Sequence, residues 1–178
     1  MKPKSILKMI LTLFPLVGCT NIPEGLEPVT GFEAERYLGK WYEIARLDHS
    51  FERNLSDVTA QYSRGEGDEI LVLNRGFEKE KGKWREAKGV ARFIGEKNVG
   101  SLKVSFFGPF WGGYHVIALD KEGYRYSMIT GPSRSYLWIL SREKRLDEKI
   151  LAGLLAEAKR WGFETEKLIF VEQDRPDH

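Results

Sequence analysis

The chain has 178 residues, a length that suits one domain with a sizeable core. Its 42% hydrophobic and 30% charged residues are those of an ordinary globular protein, and its single cysteine excludes an intrachain disulfide. The formal charge of +2 is an effect of the N-terminus: without Lys2, Lys4 and Lys8, 25 basic groups face 26 acidic ones, so no basic patch argues for nucleic acid.

Residues 1–18 read as a secretory signal. Three lysines precede an apolar run from Met9 to Val17 that is too short to span a membrane. The run ends Leu16-Val17-Gly18-Cys19, which resembles the lipobox of bacterial lipoproteins, where the chain is cut before the cysteine and that cysteine is acylated. An ordinary signal with a chance cysteine competes, but the only cysteine of the chain falls at this position. The resemblance implies three acyl chains on Cys19, palmitate among them. Several chains together anchor stably where one does so marginally. Thr20, where Asp would imply inner-membrane retention, points to the outer membrane and its periplasmic face. Residues 19–30, with Pro23, Gly25 and Pro28, read as a lipidated N-terminus and tether.

A barrel domain is expected over 31–173. Phe32 to Leu38 predicts a short helical turn closing one end. Gly39 then turns the chain into a strand from Trp41 to Leu47, with Trp41 large enough to plug a closed barrel if its indole N–H finds a partner. Asp48 to Asp57 is a long polar loop placed over the barrel mouth. Strands follow at Val58–Tyr62, Ile70–Phe77 and Trp84–Ile94. On the last of these Ala87, Gly89, Ala91 and Phe93 face inward, and Glu86, Lys88, Val90 and Arg92 outward. Charged outer positions exclude a lipid-facing transmembrane barrel, and small inner ones favour a hollow with room for one ligand. Leu102, Val104 and Phe106 line the next strand, before an aromatic loop, Phe107–Gly113. Tyr114–Asp120 and Tyr124–Thr130 form a hairpin, and Ser135–Arg142 is the eighth strand. Short connections make neighbours antiparallel. A helix starts at an Asp147 cap and stops at Gly162, with Ile150, Leu151, Leu154, Leu155, Ala158 and Trp161 on one stripe facing Leu137 and Ile139. A short strand, Leu168–Val171, and a tail, 174–178, end the chain.

Gly39-Lys40-Trp41, Phe106-Phe107-Gly108-Pro109-Phe110, Gly131-Pro132 and Tyr136–Arg142 occur in this order, and over Phe32–Gln173 the chain resembles the lipocalins, in particular bacterial ones of the outer-membrane lipoprotein type. The resemblance implies an all-β fold: an eight-stranded antiparallel up-and-down β-barrel, or calyx, with the C-terminal α-helix packed outside. It also implies Arg142 lying across Trp41 at the closed end. Gly39, Trp41 and Arg142 are therefore assigned to stability. A Thr-Asp-Tyr motif common in the family is degenerate here, as Asp120–Tyr124.

The expected function is that of a membrane-anchored binding protein storing or transporting fatty acids or lysophospholipids for membrane maintenance. Its expected lining is Asn74, Phe93, Val104, Phe106, Val116, Tyr126, Met128 and Trp138. Asn74 meets either a head group or a neighbouring backbone group or water, and Tyr126 and Met128 are open to a second role as packing residues. Glu43 points inward by parity with Trp41 and needs a partner, unless the parity breaks. Competing possibilities are a structural envelope lipoprotein with a packed barrel and a lipocalin-fold enzyme. Asp48-His49-Ser50 holds triad residue types without triad geometry, and His49, His115 and His178 lack metal-ligand spacing. No enzyme activity, metal or cofactor is expected, and a homodimer is left open.

Overall fold

The computed structural model describes residues 20–176, so the signal 1–18, Cys19 and the last two residues of the tail lie outside the described residues. A four-residue helix, α1 (Ala34–Tyr37), leads into β1 (Gly39–Arg46). Then come β2 (Leu55–Arg64), β3 (Ile70–Glu78), β4 (Lys83–Phe93), β5 (Ser101–Phe107), β6 (Phe110–Leu119), β7 (Tyr126–Thr130) and β8 (Leu137–Ser141), each antiparallel to the next. β8 pairs with β1 and β1 with β2, which closes an eight-stranded barrel. Closure leaves no long free edge to template aggregation.

Register shifts decide where side chains point; β2 has one between Ser56 and Thr59 and β5 one between Val104 and Phe107, and two more are bulges in β1 and β6. One lies between Glu43 and Ala45 in β1, the other between Val116 and Ala118 in β6. An extra residue in one strand shifts every later side chain to the other face. The expected aromatic loop Phe107–Gly113 is also shorter than its sequence suggests: β6 already begins at Phe110, and the tip is a cis Gly108–Pro109 turn.

α2 (Glu148–Arg160) is capped by Asp147, whose Oδ1 accepts from the amides of Lys149 at 2.9 Å and Ile150 at 3.2 Å. Gly162, at φ 84°, takes the left-handed turn that ends it. Leu154 and Ala158 pack on the outer wall against Leu137, Ile139, Met128 and Ala45. β9 (Ile169–Phe170) joins β1 at Ala45 and Arg46, where β1 has parted from β2. Just beyond it, Gln173 Nε2 donates to the Glu43 carbonyl at 2.9 Å and the Val58 carbonyl at 2.8 Å. The C-terminal segment thus sews a seam that the β1 bulge opens.

Residues 20–30 of the expected tether pack on the barrel at several points. Leu26 is buried in the outer core, Val29 bonds Val116 and Gly100 through its backbone, and Arg134 holds the Glu24 carbonyl at 2.8 Å. Apolar residues at 22, 26 and 29 give this segment surface to bury, which its proline and glycine content hides.

Candidate functional site: the calyx

Trp41 is fully buried at the closed end, and its Nε1 donates to the Tyr37 carbonyl at 2.8 Å. Arg142 lies over the ring, with Cζ 3.9 Å from its centroid. The same guanidinium donates to four backbone carbonyls, those of Arg36, Leu38, Lys40 and Tyr124, at 2.8–3.2 Å. It therefore ties α1, β1 and the β6–β7 turn together. Gly39 is needed twice: it sits at φ 97°, and a Cβ there would stand 3.2 Å from Arg142 Nη1.

Of the expected lining, Phe93, Val104, Phe106, Val116 and Trp138 belong to the interior cluster with Tyr62, Val72, Ala91 and Ile129. Asn74 shares the inward face through its register with Ala60 and Ala87, and its Oδ1 is buried without a partner. Tyr126 and Met128 are a correction. Met128 is fully buried in the second core, under α2, where Tyr126 packs as well. The pairings Met128↔Ile139 and Ile129↔Trp138 put Ile129 inside and Met128 outside. Since α2 covers this wall, β7 is apolar on both faces and alternation alone does not choose between them.

At Gly89 the small inward face of β4 carries a neighbouring ring. Phe106 rests on Gly89, with ring atoms 2.8 and 2.9 Å from where a Cβ would stand. Gly89 is thus a berth for a neighbouring ring. A groove of about 340 Å³ lies at the closed end between α1 and the β2–β3 turn, away from the mouth, and is not the calyx opening.

Polar groups line the upper interior. After the β1 bulge Arg46 points inward beside Glu43, and Nη1 meets Oε1 at 2.7 Å with both side chains almost wholly buried. Arg46 Nη2 also donates to the Glu52 carbonyl at 2.7 Å and the Leu55 carbonyl at 3.2 Å, clamping the β1–β2 loop across the mouth. Glu52 Oε2 accepts from Trp138 Nε1 at 3.0 Å and lies 3.0 Å from His49 Nε2. His49 packs edge-on against Trp138, with centroids 5.0 Å apart, and Trp138 stacks on Tyr136. Burial, reinforced by the charge of Glu52, pushes the Glu43 carboxyl well above the usual carboxylate range despite Arg46. Burial acts on Glu52 too, but His49, Trp138 and Arg46 outweigh it and hold its carboxyl below the usual value.

Deeper in the barrel, the hydroxyls of Tyr62, Tyr114 and Tyr37 and Ser127 Oγ form a chain with links of 2.9, 2.8 and 3.1 Å. Burial pushes the Tyr37 phenol up to about 12 and raises Tyr62 and Tyr114 as well, so all three stay neutral hydrogen-bonding groups. Arg46, His49, Glu52 and the tyrosine chain are site residues that sequence reasoning missed. Glu43 was the available signal, because an inward acid implies an inward base. Arg46 was hidden because its parity matches that of Glu43 only across a bulge. His49 belongs to no triad here: it faces Glu52 and Trp138, while neighbouring Ser50 is exposed.

A closed meander, a Trp-plugged floor, a loop-covered mouth and one helix on the outer wall define a calyx-type β-barrel. Residues 32–173 match the family model described as a lipocalin-like domain, and the chain belongs to the lipocalin family. It is 51% identical over 165 residues to the outer membrane lipoprotein Blc of Vibrio cholerae, covering 93% of this chain and 96% of that one. To the outer membrane lipoprotein Blc of Escherichia coli K12 it is 48% identical over 162 residues, 90% and 91% of the two chains. Mouse apolipoprotein D is 30% identical over 152 residues, covering 80% and 77%. Among solved structures, insecticyanin from the tobacco hornworm Manduca sexta superposes with a TM-score of 0.67 over 86% of this chain and 87% of that one, at 20% identity, a likeness of fold.

Proposed function

We propose that this lipocalin is anchored through an acylated Cys19 at the periplasmic face of the outer membrane, where its calyx holds a fatty acid or lysophospholipid. One observation carries the ligand class. Among the polar groups of an interior that also has a large apolar and aromatic surface, Arg46 Nε, His49 Nδ1 and Asn74 Oδ1 are buried with no hydrogen-bond partner. A buried polar atom left unpaired is costly, so these atoms favour a guest with a polar head and an apolar tail. The names of the 47–51% identical relatives support the location and the anchor.

Energetics limit the role to exchange. Burying a chain gains about 0.8 kcal/mol per CH₂ relative to water, but a lipid in a bilayer already has that energy. Head-group contacts therefore decide occupancy, and a single-chain lipid with some water solubility suits the interior better than a two-chain one.

The Phe106–Gly89 contact favours a second reading, a structural lipoprotein with a packed barrel. Thermal unfolding with added lysophospholipid separates the two. A ligand of the native state at a hundred times its Kd stabilises by about 2.7 kcal/mol. A melting temperature indifferent to lysophospholipid and fatty acid alike supports the packed barrel.

A further inference from the structure

Large apolar side chains are exposed at two neighbouring positions on the β5–β6 hairpin: Phe107 at 76% and Phe110 at 69%, either side of Gly108–Pro109. The calyx interior uses neither ring. Behind the tip, on the outer face, Trp111 sits between two cations, with Arg92 Cζ 5.2 Å and Lys103 Nζ 5.1 Å from its ring centroid. Glu69 already engages Arg92 at 2.5 Å, and the nearby outward acid Glu86 is paired with Arg75. An aromatic ring flanked by Lys and Arg, next to exposed apolar residues, is the side-chain chemistry of a membrane–water interface.

The chain's own N-terminus points to the same hairpin. His115 on β6 donates through Nε2 to the Thr20 carbonyl at 3.0 Å, while Nδ1 accepts from Ser101 at 3.0 Å. That carbonyl also lies 3.1 Å from where a Gly113 Cβ would stand. In the sequence Cys19 immediately precedes Thr20. Gly113 and Phe110 are three strand residues apart, roughly 10 Å. An anchor leaving here cannot hold the barrel far from the bilayer, because the segment that would give slack is packed.

We propose that the β5–β6 hairpin is the foot on which the barrel stands on its membrane. Phe107 and Phe110 enter the head-group region of an anionic lipid surface, and Trp111, Arg92 and Lys103 lie at its boundary. This rests on the acylation of Cys19 proposed above. The hairpin also borders the calyx mouth, so a lipid leaving the bilayer beside the foot meets the opening directly.

The test uses the acylated chain reconstituted in vesicles of phosphatidylethanolamine and phosphatidylglycerol. Cys19 is the only cysteine and its sulfur is consumed by the lipid, so an introduced cysteine is the sole reactive thiol. An environment-sensitive fluorophore is placed at Phe107→Cys, Phe110→Cys and, across the barrel on β9, Phe170→Cys. All three positions are exposed, so labelling leaves the core intact. The expected result is a blue shift and quenching by spin-labelled lipid at 107 and 110, with 170 quenched by aqueous iodide. Equal iodide quenching at all three positions overturns the proposal. A blue shift that disappears at one chain per vesicle overturns it too, because the hairpin then meets a second copy of the chain. A Cys19 that itself takes the fluorophore removes the anchor, and the proposal falls with it; the mass of the chain identifies that case.

Discussion

At the scale of single residues, Arg46 carries the most consequence. It neutralises a buried carboxylate and clamps the loop over the mouth with one guanidinium. Arg46→Ala leaves Glu43 and Glu52 facing each other without their cation. Breaking such a buried pair costs about 3–5 kcal/mol, which denaturant unfolding should read; a loss below about 1 kcal/mol contradicts the network. Glu43 adds a pH signature. Its folded pKa is raised above the ordinary 4.5, so the folded state holds an extra proton between that value and the raised one. Stability from this group is present below the ordinary value and is lost as pH rises through the window. Glu52 has the opposite sign: its lowered pKa gives stability that is lost as pH falls. Glu43→Gln should therefore reduce the fall in melting temperature as pH rises above about 4.5 and leave the fall towards lower pH in place. An unchanged slope above that pH contradicts the assignment. Glu43 was legible as inward from strand parity. Its partner three residues on was not, because a bulge is a backbone event without a composition signal.

At the scale of elements, the helix and the strands beneath it explain what the sequence conceals. The capped, amphipathic α2 and its floor of Leu137 and Ile139 follow from periodicity alone. The same helix makes the outer face of β7 apolar, which is why Met128 reads as lining until its pairing with Ile139 is known. Met128→Ala should cost about 2–5 kcal/mol in stability, yet leave affinity for a fluorescent fatty acid unchanged. A selective loss of affinity at intact stability would return Met128 to the calyx. Short connections made the meander and its antiparallel sense readable. Phe106 lying on Gly89 was not readable, because a run of small residues describes an empty wall and a berth for a cross-strand ring equally well.

At the scale of the whole molecule, the barrel joins a closed floor to a mouth lined by polar groups. Arg142, Trp41 and α1 fix one end through backbone carbonyls. The other end carries a loop held by charges, aromatic rings on His49, Tyr136 and Trp138, and buried polar atoms still lacking partners. Between them Phe106 lies across Gly89 on the inner wall. This arrangement suits a carrier that exchanges single-chain lipid with a nearby bilayer and holds it loosely.

Native mass spectrometry of residues 20–178, purified without detergent, followed by extraction and identification of what the barrel releases, tests that account most directly. A mass excess that yields a fatty acid or lysophospholipid is the predicted result. An empty barrel that also fails to take up added lysophospholipid would contradict it and leave the calyx as packed structure.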